Sequence, residues 1–139
     1  MPSYGERSKR EIATASPKLQ RLFGAVIPHR DHTILEGLRT TERQQQLWRQ
    51  GREDKGSIVT HADGIKVMSN HQHTDANGKC LAIDVAPWYA AEPHIRWDDE
   101  KGFYLFAGYV LAVADQLEIE VEWGGNWAMR DLPHWQVRA

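Results

Sequence analysis

Three short segments of the chain are polar where a plain core would be apolar. They are Ser69-Asn70-His71-Gln72-His73, the run Ala82-Ile83-Asp84, and Asp131-Leu132-Pro133-His134-Trp135-Gln136. Imidazole nitrogen and carboxylate oxygen together suit zinc, and three protein donors with water in the fourth position form the catalytic arrangement. A cation held this way polarises a carbonyl and lowers the pKa of water, which is what hydrolysis needs. Asp84 makes the sharpest case from the residues alone. It lies between apolar neighbours in a run that reads as a strand, where a carboxylate is expensive without a cation or a hydrogen-bond donor. The competing reading is a capping or edge carboxylate at the strand end. Cys80 is the only cysteine, so a thiolate-built zinc site and an internal disulfide are both excluded.

The elements that must position these residues can be read from spacing. Ser8-Lys9-Arg10-Glu11 has the pattern of a capping box opening a short helix. Ser16-Pro17 reads as an N-cap followed by proline in the first turn, and Leu19, Leu22, Phe23, Val26 and Ile27 then fall on one helical face. Thr33 to Glu36 predicts a strand closed by Gly37, and Thr40 or Thr41 caps a helix that stops at Gly51. Residues 52–78 have no clear period and several Gly, Asp and Asn, which predicts a long loop of the kind that usually carries function. Cys80 to Val85 predicts a strand with Leu81, Ile83 and Val85 on one face, and Ala82 and Asp84 on the other. Asp98 or Asp99 opens the strongest helix, whose buried stripe is Phe103, Phe106, Ala107, Val110, Leu111, Ala114 and Leu117. Ile119, Val121 and Trp123 alternate as a further strand, and His134 to Val137 forms the last. The expected fold class is α+β, a single domain over residues 1–139 with helices packed on a small, largely antiparallel sheet.

Composition narrows the function classes. At 139 residues with 41% hydrophobic content the chain can bury one core without staples. A formal charge of -2, with both signs interspersed, predicts no strong attraction to nucleic acid or to an anionic membrane surface. No apolar run approaches the roughly 20 residues needed to cross a bilayer. Met1 to Arg10 is polar and lacks the apolar stretch of a secretory signal, so synthesis in a cytosol is expected. His29, His32, His61 and His94 have no motif around them and read as surface residues.

Taken jointly, the motifs carry a resemblance. Ser69-x-His71, Gly78, Ala82-x-Asp84 and a distant Asp131-x-x-His134 are similar to the zinc D-Ala-D-Ala carboxypeptidase and L-alanyl-D-glutamate peptidase family. Gly37-Leu38-Arg39-Thr40 before a glutamine-rich helix matches too, as does Trp123-Gly124-Gly125-Asn126-Trp127 before the last histidine. The likeness covers roughly residues 30 to 138, and single-domain phage endolysins of similar length resemble it most. The spacer through Thr74-Asp75-Ala76-Asn77 is longer than in the compact family motif. That insertion leaves His71 and His73 as rivals for one position; the serine two residues upstream matches the family for His71, and His73 then reads as an exposed loop histidine.

The resemblance implies that His71, Asp84 and His134 hold Zn2+ and that Asp131 is the general base and acid. A turn-forming aspartate before Leu132-Pro133 is the competing reading for Asp131. It implies that Arg39 binds a substrate carboxylate or the tetrahedral oxyanion, against an ion pair with Glu36 or Glu42. Ser69 and Trp123 are the candidate substrate contacts; Trp123, Trp127 and Trp135 all offer walls for a cleft, with core burial as the default for each. The implied substrate is peptidoglycan peptide, cut either as an endopeptidase at L-alanyl-D-glutamate or as a D-Ala-D-Ala carboxypeptidase. The same fold also resembles the zinc-containing signalling domain of hedgehog proteins, so a binding module without catalysis is a third expectation. A monomer is expected, made in a host bacterial cytoplasm and reaching the wall after a separate pore-forming, holin-like protein opens the membrane.

Overall fold

The computed structural model describes residues 1–139. Its elements in chain order are α1 (Glu6–Ala13), α2 (Pro17–Val26), β1 (His32–Glu36), α3 (Thr41–Arg49), β2 (Ala82–Pro87), α4 (Glu100–Gln116), β3 (Glu122–Trp123) and β4 (His134–Gln136), with single 3-10 turns at Asn70–Gln72 and Gly124–Asn126. Local chemistry explains most of the boundaries. The Ser16 hydroxyl accepts from the Lys18 N–H at 3.2 Å and Pro17 presets the first turn of α2. Thr40 caps α3 by accepting from the Arg43 N–H, and Asp99 caps α4 by accepting from the Gly102 N–H. No helix is long and apolar enough to cross a membrane.

The four strands form one antiparallel sheet in the order β1-β2-β4-β3. One face is apolar: Ile34, Ile83, Val85 and Trp135 are fully buried and join Leu19, Leu22, Phe23 and Val26 of α2 with Phe106, Ala107 and Val110 of α4 in a single core. Burial of such side chains stabilises by about 1.5–3 kcal/mol each, so this face holds the fold together. The register puts Asp84 opposite His134, Ala82 opposite Gln136, and Glu122 opposite Gln136. Strand alternation then gathers these polar side chains on the other face. An α+β architecture is what the sequence predicts, and the division of β2 into an Ile83-Val85 face and an Ala82-Asp84 face follows it.

A bulge in β1 matters for the site. Ile34 pairs with Val85, yet Glu36 pairs with Asp84, so one extra residue sits in β1 between them. Strict alternation would send Glu36 to the core with Ile34. The extra residue turns it to the polar face instead.

Three local expectations differ from the structure. Ser8 does not cap α1: the helix begins at Glu6 with Gly5 as N-cap, and Ser8 lies inside its first turn, buried. Its hydroxyl accepts from the Ile34 N–H at 3.0 Å and lies 3.1 Å from Thr33 Oγ1. The outer edge of β1 needs an acceptor, and α1 covers that edge with this serine. The strand around Ile119 to Trp123 is shorter than its alternation suggests, because Glu118 adopts a positive φ of 58° and the Ile119 N–H closes back on the Ala114 carbonyl. Only Glu122 and Trp123 pair. His32 is buried in the core at 3% exposure, and His94 is half-buried with its ring stacked on Trp88. His29 and His61 are exposed as expected.

The segment between α3 and the 3-10 turn at Asn70 contains no helix and no strand beyond an isolated bridge. Two buried glutamines hold it down. Gln44 Nε2 donates to the Ala62 carbonyl at 2.7 Å and to Thr60 Oγ1, and Gln72 Nε2 donates to the Gly64 carbonyl at 3.1 Å. Gly64 has a φ of +87°, and any Cβ there would press on the Gln44 side chain.

Candidate metal centre and cleft

His71 sits in a 3-10 turn whose start is fixed reciprocally. The Ser69 hydroxyl accepts from the His71 N–H, while Gln72 Oε1 accepts from the Ser69 N–H at 2.9 Å. The His71 ring is buried, and its Nδ1–H donates to the Gly37 carbonyl at 3.1 Å. A carbonyl can only accept, so Nε2 carries the lone pair, and it points to Asp84 Oδ1 at 3.3 Å. From the other side His134 on β4 brings Nδ1 to 3.5 Å from the same oxygen, while its Nε2 lies 2.8 Å from Gln136 Oε1. Asp84 Oδ1 is one of two buried side-chain polar atoms with no hydrogen-bond partner; the other is Trp135 Nε1, in the core.

One donor atom from each of His71, Asp84 and His134 lies within 4.8 Å of the others. A tetrahedral zinc with bonds of about 2.0–2.1 Å separates its ligands by about 3.4 Å, close to the 3.3 and 3.5 Å found here. The donor set, the spacing and the unpartnered carboxylate oxygen therefore fit a cation, and the group can hold a metal ion. Burial opposes ionisation of Asp84; positive charge on the facing His134 and His71 rings, in their protonated forms, outweighs it and holds the carboxyl well below the usual range. His73 is exposed and stands outside the group.

Asp131 lies at the rim, its Oδ2 3.9 Å from His134 Nδ1, with its side chain 47% exposed. Burial first, and then the charge of Asp84, push its carboxyl above the ordinary value, whereas His134, His71 and Arg39 pull it down. Its backbone is fixed by bonds from Asp131 N–H to the Gly124 carbonyl and from His134 N–H to the Asp131 carbonyl. Gly124 leaves no room for a side chain there, since a Cβ would meet the Asp131 backbone and the His134 side chain.

Arg39 follows β1 and its backbone N–H donates to the His71 carbonyl. Its guanidinium grips Glu36 through Nε, at 2.8 Å, and through Nη2; Nη1 donates to Gln44 Oε1 at 2.8 Å and to Ser69 Oγ at 3.3 Å. Of the two acids weighed as its partner, Glu36 takes the place, delivered by the bulge. Four of five guanidinium N–H groups are thereby occupied, leaving one on Nη2 free.

These groups line an open cleft of about 530 Å3 that includes Arg39, Ser69, His71, Asp84, Asp131 and His134. That is room for a short peptide and falls in the usual range for ligand sites. Val59, Val67 and Met68 of the long loop form an apolar wall. Trp127 lines the cleft and lies 4.9 Å from the His134 ring. Trp123 does not: it is buried, stacked on Trp135 at 5.8 Å, and donates its Nε1–H to the Leu132 carbonyl. Its position on the Trp135 side of β3 sends it into the core, so it shapes the loop above the site without reaching the cleft. Gln136 and Gln44, which no motif singles out, are tied to the site through His134 and Arg39. Gln136 stands two residues after His134 on the same strand face, a signal that period-2 reading contains.

A two-histidine, one-carboxylate cluster in a cleft, with a further carboxylate at its rim, is a donor set on an α+β fold that can hold a metal ion. The chain belongs to the phage L-alanyl-D-glutamate peptidase family, whose model matches residues 2–134. Over 115 residues it is 35% identical to the peptidoglycan L-alanyl-D-glutamate endopeptidase CwlK of Bacillus subtilis (strain 168), a match that covers 77% of this chain and 60% of that protein. The matched region is thus less than two thirds of the Bacillus relative. The crystal structure of Serratia marcescens L-Ala D-Glu endopeptidase ChiX is similar at a TM-score of 0.71 and 25% identity, with 97% of this chain and 89% of that one covered.

Proposed function

We propose that this chain is a single-domain zinc peptidase that hydrolyses the L-alanyl-D-glutamate bond of bacterial peptidoglycan, acting as a phage endolysin. The observation that carries this reading is Asp84 Oδ1, buried without a donor between two imidazole nitrogens at the floor of a peptide-sized cleft. His71 Nε2, Asp84 Oδ1 and His134 Nδ1 would hold the zinc. When bound, the ion supplies Lewis acidity toward the scissile carbonyl and lowers the pKa of water.

Asp131 takes a proton from the attacking water as its oxygen adds to the alanyl carbonyl carbon. The same carboxyl returns that proton to the glutamyl nitrogen as the C–N bond breaks, so water is divided between the new acid and the new amine. Arg39 keeps one N–H for the developing oxyanion or a substrate carboxylate, and its charge faces Asp131 across the cleft. Ser69 holds both the Arg39 fork and the His71 turn. Substrate contact on the aromatic side falls to Trp127, not Trp123. The protein acts as a monomer, meets the wall after a separate pore-forming protein opens the membrane, and needs neither nucleic acid nor membrane insertion.

The test is digestion of purified peptidoglycan followed by identification of the new termini. New amino-terminal glutamate with carboxy-terminal alanine is the expected result. Release of free D-alanine would instead assign carboxypeptidase activity, and zinc-loaded protein that releases nothing would leave a binding module.

A further inference from the structure

His134 is joined to the solvent by a chain of hydrogen bonds running along the polar face of the sheet. Its Nε2 lies 2.8 Å from Gln136 Oε1, and Gln136 Nε2 donates to Glu122 Oε2 at 2.6 Å. Register enforces the line: Glu122 is directly opposite Gln136 across β3 and β4, Gln136 is two residues from His134 along β4, and His134 is opposite Asp84 across β4 and β2. A carboxylate accepts and never donates, so Glu122 fixes which end of the Gln136 amide faces it. The amide oxygen is then turned to His134, and an oxygen there requires a proton on Nε2. The Nδ1 lone pair is left facing Asp84.

We infer that Glu122 and Gln136 are positioning residues that set the His134 tautomer and present Nδ1 to the cation, an inference that rests on the metal site proposed above. His71 reaches the same end differently, through a backbone carbonyl that no substitution at position 37 removes. His134 depends on side chains alone, and one of them, Glu122, is exposed. Partners that orient a ligating imidazole typically change metal affinity by about 10–100-fold when lost.

The experiment is zinc affinity by chelator competition, together with the imidazole Nε2–H signal of the zinc-loaded protein by NMR. Wild type should bind zinc and show a slowly exchanging His134 Nε2–H. Gln136→Met, which fills the same space without an acceptor, should bind zinc roughly 10–100-fold more weakly and lose protection of that proton. The exchanged pair Glu122→Gln with Gln136→Glu restores an acceptor for His134 and a donor for that acceptor, and should recover most of the affinity. Affinity within twofold of wild type in Gln136→Met, or an exchanged pair as weak as that variant, overturns the inference while leaving the metal site standing. Wild type that binds no zinc overturns both. If Gln136→Met does not fold, Glu122→Leu at its exposed position decides: weaker zinc binding supports the relay, and unchanged binding overturns it.

Discussion

Asp131 and His134 are three residues apart, yet their chemistry is opposite. His134 is buried with both ring nitrogens committed, one toward Asp84 and one toward Gln136, whereas Asp131 stands half-exposed at the rim with no hydrogen-bond partner for its carboxylate among the side chains. A group that ligates should be lost together with the metal; a group that moves protons should not. Asp131→Asn keeps the shape and removes the oxygen that accepts a proton. The expected outcome is folded protein with wild-type zinc content and turnover lower by about a hundredfold or more, checked by metal analysis beside a wall-digestion assay. Near-normal turnover would reduce Asp131 to a turn residue, and loss of zinc would move it into the metal shell. At this scale the motifs point to Asp84 and His134 and leave His71 and His73 as rivals across an insertion; the structure groups His71 with Asp84 and His134, and Asp131 lies at the rim. The sequence offers Trp123 as a substrate contact, which the structure places in the core instead, and it gives Gln136 no role. Both lie in a segment whose strand register decides which side chains face the core, and register is set by tertiary pairing rather than by residue type.

Among the elements, the sheet face opposite the cleft shows where periodicity informs and where it fails. The stripes of α2 and α4 are readable because their apolar residues recur at helical spacing: eight of the twelve lie in the core, and Leu111 and Leu117 pack half-buried against it. The bulge in β1 was not readable, since nothing in Thr33-Ile34-Leu35-Glu36 marks an extra residue; it is visible only against the partner strand. Ser8 was misplaced because a capping-box pattern is a local signal, and the edge of β1 claims that hydroxyl for a non-local bond. His32, which has no motif around it and reads as a surface residue, packs instead 5.1 Å from Phe106 and 5.6 Å from Phe23. Its Nδ1–H donates to the Arg30 carbonyl, and Nε2 lies 2.6 Å from the Tyr4 hydroxyl. Burial pushes its pKa down from 6.5 to about 4 despite the bond to Arg30. Between those values the unfolded chain binds the proton and the folded chain does not, so stability falls as pH drops from 6.5 toward 4. At about 1.4 kcal/mol per unit the full loss is at most about 3.5 kcal/mol. His32→Phe should remove this part of the slope. Urea midpoints of both proteins across that window check it: the wild type should lose stability faster toward acid, and parallel curves would contradict a neutral buried His32.

Across the whole molecule, the three donors come from places far apart in sequence: the 3-10 turn ending the long loop, the central strand β2, and β4 near the end of the chain. The apolar core on one sheet face fixes the two strands, and Gln44 and Gln72 hold the loop that brings in His71. The cleft exists because these parts meet. The stretch through Thr74 to Asn77 does not disturb that meeting: Asp75 Oδ1 accepts from the Asn77 and Lys79 N–H groups and Gly78 takes a positive φ of 77°, so the extra residues close into their own turn and leave His73 outside. The direct measurement is zinc content per chain, after equilibration and removal of free metal, for wild type, His71→Ala and His73→Ala. One zinc in wild type and in His73→Ala, with its loss in His71→Ala, is the expected result. Stoichiometric zinc in His71→Ala, or its loss only in His73→Ala, would contradict the centre described here.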